Sequence, residues 1–318
     1  MHSRKTSTEG FASSPGSSAR RLGLGRAQPS FFTAALCLGF GLAAACGGPP
    51  PIHDVPPPQL RDQIARDVPG LSRRSVVIPH EISDETFAHI HAKVDDLEDP
   101  SKGARALLQL LFDERYLDLD YIWGETRSAE LTIAAGGGNC LSLAAVLVGA
   151  ARKYSGAARY IEIQDRPEQR DEGDLEIWAS HIAVLLPSID GPLVVDFRGV
   201  RDEETRIRFQ QLSDRELVAH YYNDKGYDLI RKAREQAKPM PWRAALGLFE
   251  IATQIDPDLS RAWNNVGVAR ARLGEFQAAD DAYQRALNGR SDYLEEATAD
   301  NLISLRFRRL DSREESDQ

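Results

Sequence analysis

Residues 140–154 read CLSLAAVLVGAARKY and are apolar on nearly every side for three turns. A helix of this kind has no polar face to offer water, so the rest of the chain must enclose it. It is preceded by GGGN, residues 136–139. Asn139 is suited to cap the helix, because its side-chain oxygen can accept an orphan N–H of the first turn. Cys140 then takes the first helical position, where the positive end of the helix dipole favours a thiolate. The glycines are expected to allow tight turns and the close approach of a substrate backbone.

The segments around this helix supply its layers. Over 83–117 apolar residues recur at helical spacing, as in DETFAHIHAKVDD and SKGARALLQLLFDE. Residues 116–138 read as a loop with short helical pieces. After the central helix, AARYIEI (157–163), IWASHIAVLLP (177–187) and PLVVDFRG (192–199) read as strands. The turn signals between them point to antiparallel neighbours. The charged stretch between the first two, QDRPEQRDEGDLE at 164–176, reads as a solvated loop. The fold class expected is α+β, with a small antiparallel sheet.

Beyond Tyr222 the pattern is all helix. Residues 262–287 give a helix, a turn at Gly274 and a second helix. Trp263, Val266, Gly267, Ala279, Tyr283 and Ala286 fall in the places of a tetratricopeptide repeat. Ala245, Phe249, Ala252 and Pro257 form a degenerate copy upstream, and EEATADNLISLRFRRL reads as an atypical capping helix. The domain division expected is 61–222 for the α+β part and 223–310 for the helical part.

The start of the chain has a different character. A basic segment precedes FFTAALCLGFGLAAA, residues 31–45, which carry no charge. Basic, short apolar and then small residues describe an export signal over 1–45. Fifteen apolar residues are few for a membrane span. LAAAC resembles a lipobox, with Leu42 one position further upstream than usual. That makes Cys46 the lipidated first residue of the mature protein. Residues 46–60, rich in Pro and Gly, then form an extended tether. Of three cysteines in the chain, Cys37 is discarded with the signal and Cys140 is the one free thiol. The net charge of -9 argues against a general nucleic-acid binder.

A thiolate acting on amides wants an imidazole, and the imidazole wants an orienting group. His181 lies in the second strand, with Ala183 and Leu185 on its face. Asp196 lies in the third, where an acid among Val194, Val195 and Phe197 needs a partner if buried. Adjacent antiparallel strands can bring the two together. Each residue also has a structural reading: a core cysteine, a strand histidine, a turn aspartate. No second cysteine or paired histidine joins Cys140 at ligand spacing, so no metal site is expected. GGGN lacks the lysine of a phosphate loop. No cofactor is expected.

The run GNCLSLAAVLVGAARKY, then ARYIEI, HIAVLL and VVDF, resembles the core of the transglutaminase-like superfamily, within the papain-like cysteine fold. Some bacterial members carry tetratricopeptide repeats behind that core. The resemblance implies Cys140 as nucleophile, His181 as general base and acid, and Asp196 as orienter. It implies acyl transfer through a thioester, to water or to an amine. Trp123 is a candidate cleft wall or oxyanion donor, and Trp178 a candidate shield. The expected function is a thiol-dependent amide hydrolase or acyltransferase on peptide or protein substrates, lipid-anchored at Cys46 in the bacterial envelope and facing the periplasm or the surface. The alternative is a non-catalytic periplasmic scaffold that binds a protein partner through its repeats.

Overall fold

The computed structural model describes residues 24–26, 55–94, 104–154, 158–172, 175–186, 193–197, 208–290 and 294–316. A mixed α+β region with small sheets is followed by an all-α, repeat-like region. In chain order the first region holds β1 (Leu24–Arg26), α1 (Pro57–Asp67), α2 (Asp84–Val94), α3 (Ala104–Phe112), β2 (Asp120–Tyr121), α4 (Ala129–Ala135), β3 (Gly137–Gly138), α5 (Cys140–Tyr154), β4 (Arg159–Glu172), β5 (Leu175–Leu186), β6 (Leu193–Val195) and β7 (Phe209–Leu212). The second holds α6 (Asp214–Glu235), α7 (Trp242–Ile255), α8 (Ser260–Arg272), α9 (Phe276–Leu287) and α10 (Glu295–Ser316), packed as consecutive pairs.

Helix α5 is the centre that its composition requires. Leu141, Leu143, Val146 and Leu147 are fully buried, and α2, α3, α4 and β5 surround them. Each such side chain contributes about 1.5–3 kcal/mol through burial. The main sheet runs β1-β6-β5-β4-β7 with every neighbour antiparallel, while β2 and β3 form a separate parallel pair. Alternation divides the main sheet into two apolar faces. Tyr160, Ile182, Val184, Leu186 and Val195 join the core around α5, whereas Ile161, Ile163, Ala183 and Val194 form a second cluster.

Four features depart from the sequence reading. Residues 164–176 are not a solvated loop: β4 and β5 continue through them as a hairpin, with a register irregularity between Ile163 and Glu168. Contacts to α6 and α7 hold this polar arm. The Tyr227 hydroxyl donates to Glu172 at 2.6 Å, and Leu175 packs beside Ile230 and Trp242. The expected tether ends early, because α1 begins at Pro57. Proline suits the first helical turn, whose N–H groups have no intrahelical acceptor, and Leu60 and Ile64 then bury against the core. The boundary expected after 222 falls inside α6, so the all-α region starts at Asp214, capped by a reciprocal Ser213–Glu216 box. Finally, β1 lies within the expected export signal and pairs with the outer edge of β6. The rest of that signal, with Cys37 and Cys46, lies outside the described residues.

The repeat reading fits the observed helices. Gly274 turns the chain between α8 and α9 at φ +79°. A Cβ on Gly267 would stand 2.5 Å from the Tyr283 ring, so glycine is what lets these two helices close. Ala245, Phe249 and Ala252 are buried on α7 in the corresponding places. Leu302 and Leu305 of α10 cover Ala279 and Tyr283.

Candidate active site around Cys140

Cys140 is the first residue of α5 and a free, half-buried thiol. Asn139 caps the helix as expected: its Oδ1 accepts the Ser142 N–H at 3.0 Å. Its Nδ2 donates to Thr126 Oγ1 at 3.0 Å, and its backbone N–H donates to Glu125 O at 3.0 Å. The cap is thereby tied to segment 124–127. Helix α6 holds that segment in turn. Asp228 Oδ2 accepts the Thr126 N–H at 2.9 Å, Lys225 Nζ donates to Thr126 O at 3.1 Å, and Arg231 Nη2 donates to Gly124 O at 2.7 Å. Charged hydrogen bonds from Arg231 and Lys232 to Glu125 add to this grip, at 2.9 and 3.1 Å.

The glycines before Cys140 serve the fold rather than a ligand. Gly136 ends α4 in the left-handed region at φ +69°, as a turn requires. Gly137 and Gly138 are buried, and their neighbours come from this chain. A Cβ on Gly137 would lie 2.4 Å from Asp120 O, and one on Gly138 would lie 2.5 Å from Ser142 Cβ. The room expected for a substrate backbone is taken up by β2 and by α5 itself.

His181 and Asp196 meet as the strand reading anticipated. Val184 pairs with Val195, so Asp196 comes opposite Ala183 and diagonal to His181. His181 Nε2 and Asp196 Oδ1 are 2.5 Å apart, and the residues are 1% and 4% exposed. Alternation puts both on the sheet face of Ala183 and Val194. Ser180 and Ile182 take the face toward α5. Cys140 reaches this strand from α5, which packs on β5. It shares a cavity wall with Trp178, Ala179 and Ser180, the three residues before His181.

That cavity has a volume of about 310 Å³. It extends from Cys140 and Asn139 past α6 to Asn264 of α8 and Asn301 of α10. Trp123 and Trp178 both line it, which gives each the position of a cleft wall. The Arg170 guanidinium, on the hairpin arm, lies over the Trp123 ring at 3.9 Å. A cation–π contact of this kind fixes the indole plane.

Composition alone did not single out Asp228, which also lines the cavity. Burial pushes its carboxyl up to about 7, outweighing the Thr126 N–H bond and the Lys225 charge. Burial also raises Asp224, one helical turn earlier, against the opposing charge of Arg261. Asp224, Asp228 and Arg231 had no role in the sequence reading. The available signal was the spacing of Asp224 and Asp228, like charges at i,i+4 that would repel on an open face.

Among the described residues no group of three His, Cys, Asp or Glu is placed to hold a metal ion. No helix among them is long and apolar enough to cross a membrane. No known family model and no curated protein matches this chain.

Proposed function

We propose that the protein is a thiol-dependent amide hydrolase or acyltransferase built on a transglutaminase-like, papain-like core, with Cys140 as nucleophile. The observation that carries this reading is the conjunction of three features. A thiol starts a buried, capped helix, that thiol opens on a cavity, and β5, on which α5 packs, carries a buried imidazole paired with the Asp196 carboxylate on its other face. In the proposed reaction the Cys140 thiolate attacks an amide carbonyl. The C–N bond breaks, the amine leaves with a proton from the His181 imidazolium, which for this step must reach around β5 from the face opposite α5, and a thioester remains. Water or a second amine then attacks the thioester, its proton passing to His181, and the thiolate is released. Asp196 holds the imidazole and stabilises its charged form. The Cys140 backbone N–H, at the helix start, is the proposed first donor to the oxyanion. Trp123 is a wall residue of this site and a candidate second donor.

The same proposal places the mature protein in the bacterial envelope, anchored by lipid on Cys46 and acting on peptide or protein. The test is to incubate the purified chain with peptide amides, with and without an added amine, and to follow thioester adducts on Cys140 by mass spectrometry. Activity that survives Cys140→Ala would count against the thiol.

One observation favours a second reading, a non-catalytic scaffold. The cavity walls come in good part from α8 and α10, so the repeats face the same space as the thiol. Under that reading Cys140→Ala leaves partner binding and phenotype intact, while changes at Asn264 or Asn301 do not.

A further inference from the structure

The cavity holds buried polar atoms that the fold leaves unmet. Asp228 is 2% exposed, and its Oδ2 is engaged by the Thr126 N–H, but its Oδ1 has no hydrogen-bond partner. Trp178 Nε1, on another wall, is a buried donor with no acceptor. Buried polar groups are almost always hydrogen-bonded, so an unmet acceptor and an unmet donor on one cavity need an explanation.

Charge does not supply one. The Asp228 carboxyl has Lys225 Nζ at 3.8 Å, and Asp224 has Arg261 Nη2 at 3.4 Å, so each carboxyl at this end already faces a cation of this chain. What remains is neutral hydrogen-bonding capacity. The far end of the cavity has the same chemistry. Asn265 Nδ2 donates to Asn223 Oδ1 at 2.8 Å, and Asn301 Nδ2 donates to Asn264 Oδ1 at 3.1 Å. All four carboxamides line the cavity. Asn223 Nδ2 also donates to Asp224 Oδ1 at 3.2 Å, and the four carboxamides keep further donor and acceptor capacity. A wall that offers both donors and acceptors fits a ligand that carries both.

We propose that this cavity is a seat for an extended polypeptide, read through its backbone, with Asp228 Oδ1 accepting a main-chain N–H and Trp178 Nε1 donating to a main-chain carbonyl. The proposal rests on the reading of Cys140 for its purpose, since it brings an acyl carbon of the bound chain to the thiol. Its substrate class is unfolded or extended peptide, selected by main-chain geometry more than by side-chain charge. The hairpin arm, through Arg170 on Trp123, roofs the end of this seat nearest the thiol.

The test uses the full chain carrying Cys140→Ala, so that binding is measured without the thiol, at about pH 8, above the raised value of the Asp228 carboxyl, so that Oδ1 is an acceptor. The probe is a fluorescein-labelled, end-capped peptide of alanine, serine and leucine, followed by fluorescence polarisation. Saturable binding is expected, with affinity lost when alternate backbone nitrogens of the probe are methylated. Asp228→Asn can still accept from Thr126 but presents an N–H where Oδ1 stood. It should weaken binding by about ten-fold, and Trp178→Phe, which removes only a donor, by about three- to ten-fold. Absence of saturable binding, or binding indifferent to methylation and to both substitutions, overturns the proposal. If Asp228→Asn fails to fold, Trp178→Phe and the methylated probe decide it. A chain that binds the probe while its wild-type thiol proves inert keeps the peptide seat and removes the enzyme. A reactive thiol in a chain that binds no peptide does the reverse.

Discussion

His181 Nε2 and Asp196 Oδ1 stand 2.5 Å apart, joining β5 to the residue that follows β6. Removing one member of such a buried pair leaves the other without compensation, at a cost of about 3–5 kcal/mol. Asp196→Ala should therefore lower unfolding stability by about that amount in urea titrations, and Asp196→Asn by less. An alanine variant as stable as the parent would mean that the pair is solvated or unimportant to the fold.

Cys140 should be alkylated by iodoacetamide at neutral pH faster than a free model thiol. The helix start favours its thiolate, and the proposed function gives it His181 as partner. Mass spectrometry of the Cys140 peptide over time gives the rate. His181→Phe should slow it. A wild-type rate equal to that of the model thiol argues for a buried structural cysteine.

Asn139→Ala removes the cap of α5 and the link to Thr126. A loss of about 1 kcal/mol in stability is expected from the cap. The same change should slow Cys140 alkylation, because the helix end that carries the sulfur loosens. Unaltered alkylation with lowered stability would separate the cap from the thiol's reactivity.

The pH dependence of stability contains a signature of Asp228. Burial raises its folded carboxyl from the ordinary carboxylate range to about 7, so the folded state holds a proton that the unfolded state releases. Its contribution is full below the unfolded value and is lost as pH rises through the folded one. Wild type should therefore lose up to about 4 kcal/mol relative to Asp228→Asn between roughly pH 4 and pH 7. His220 is shifted the opposite way, held neutral first by burial and then by Arg261. Its contribution is full above the unfolded histidine value and falls away below it. The difference between wild type and Asp228→Asn, measured across that range by urea titration, isolates the aspartate. A flat difference would show that Asp228 is hydrated.

Two glycines in the repeats should respond in opposite directions. Gly267→Ala drives a methyl into the Tyr283 ring and should destabilise by about 1–3 kcal/mol. Gly247, inside α7, has nothing within 4 Å of an added Cβ. Gly247→Ala should stabilise by up to about 1 kcal/mol through helix propensity. Thermal melts of the two variants check the pair, and a stable Gly267→Ala would mean that α8 and α9 pack less closely.

The elements read well from sequence are those with a strong period. The run 140–154 allowed little but a central helix, and the small residues at 267, 279 and 286 fixed the repeat. His181 and Asp196 were legible because each broke an apolar strand that had to lie in the sheet. The arm at 164–176 was not, because its strands have no apolar face and form only when Tyr227 and Leu175 tie them to α6 and α7. Asp228 was missed for a related reason. Its meaning lies in the burial of one helix face, which depends on segment 124–127, about a hundred residues away in sequence. The turn expected of the glycines is there at Gly136, but the close neighbours of Gly137 and Gly138 belong to the chain itself, which a sequence cannot distinguish from a ligand.

Helix α6 has 22 residues and a length of about 33 Å. Its first turns pack on β7 and α1, its later turns carry α7, and the side chains between them hold the segment that caps Cys140. It therefore works as a lever with the thiol near its fulcrum. A tilt of only about 5° would carry one end some 3 Å relative to the other over that length. For the same reason no cut between the two halves of the chain can spare both, because the element that would have to be severed belongs to each.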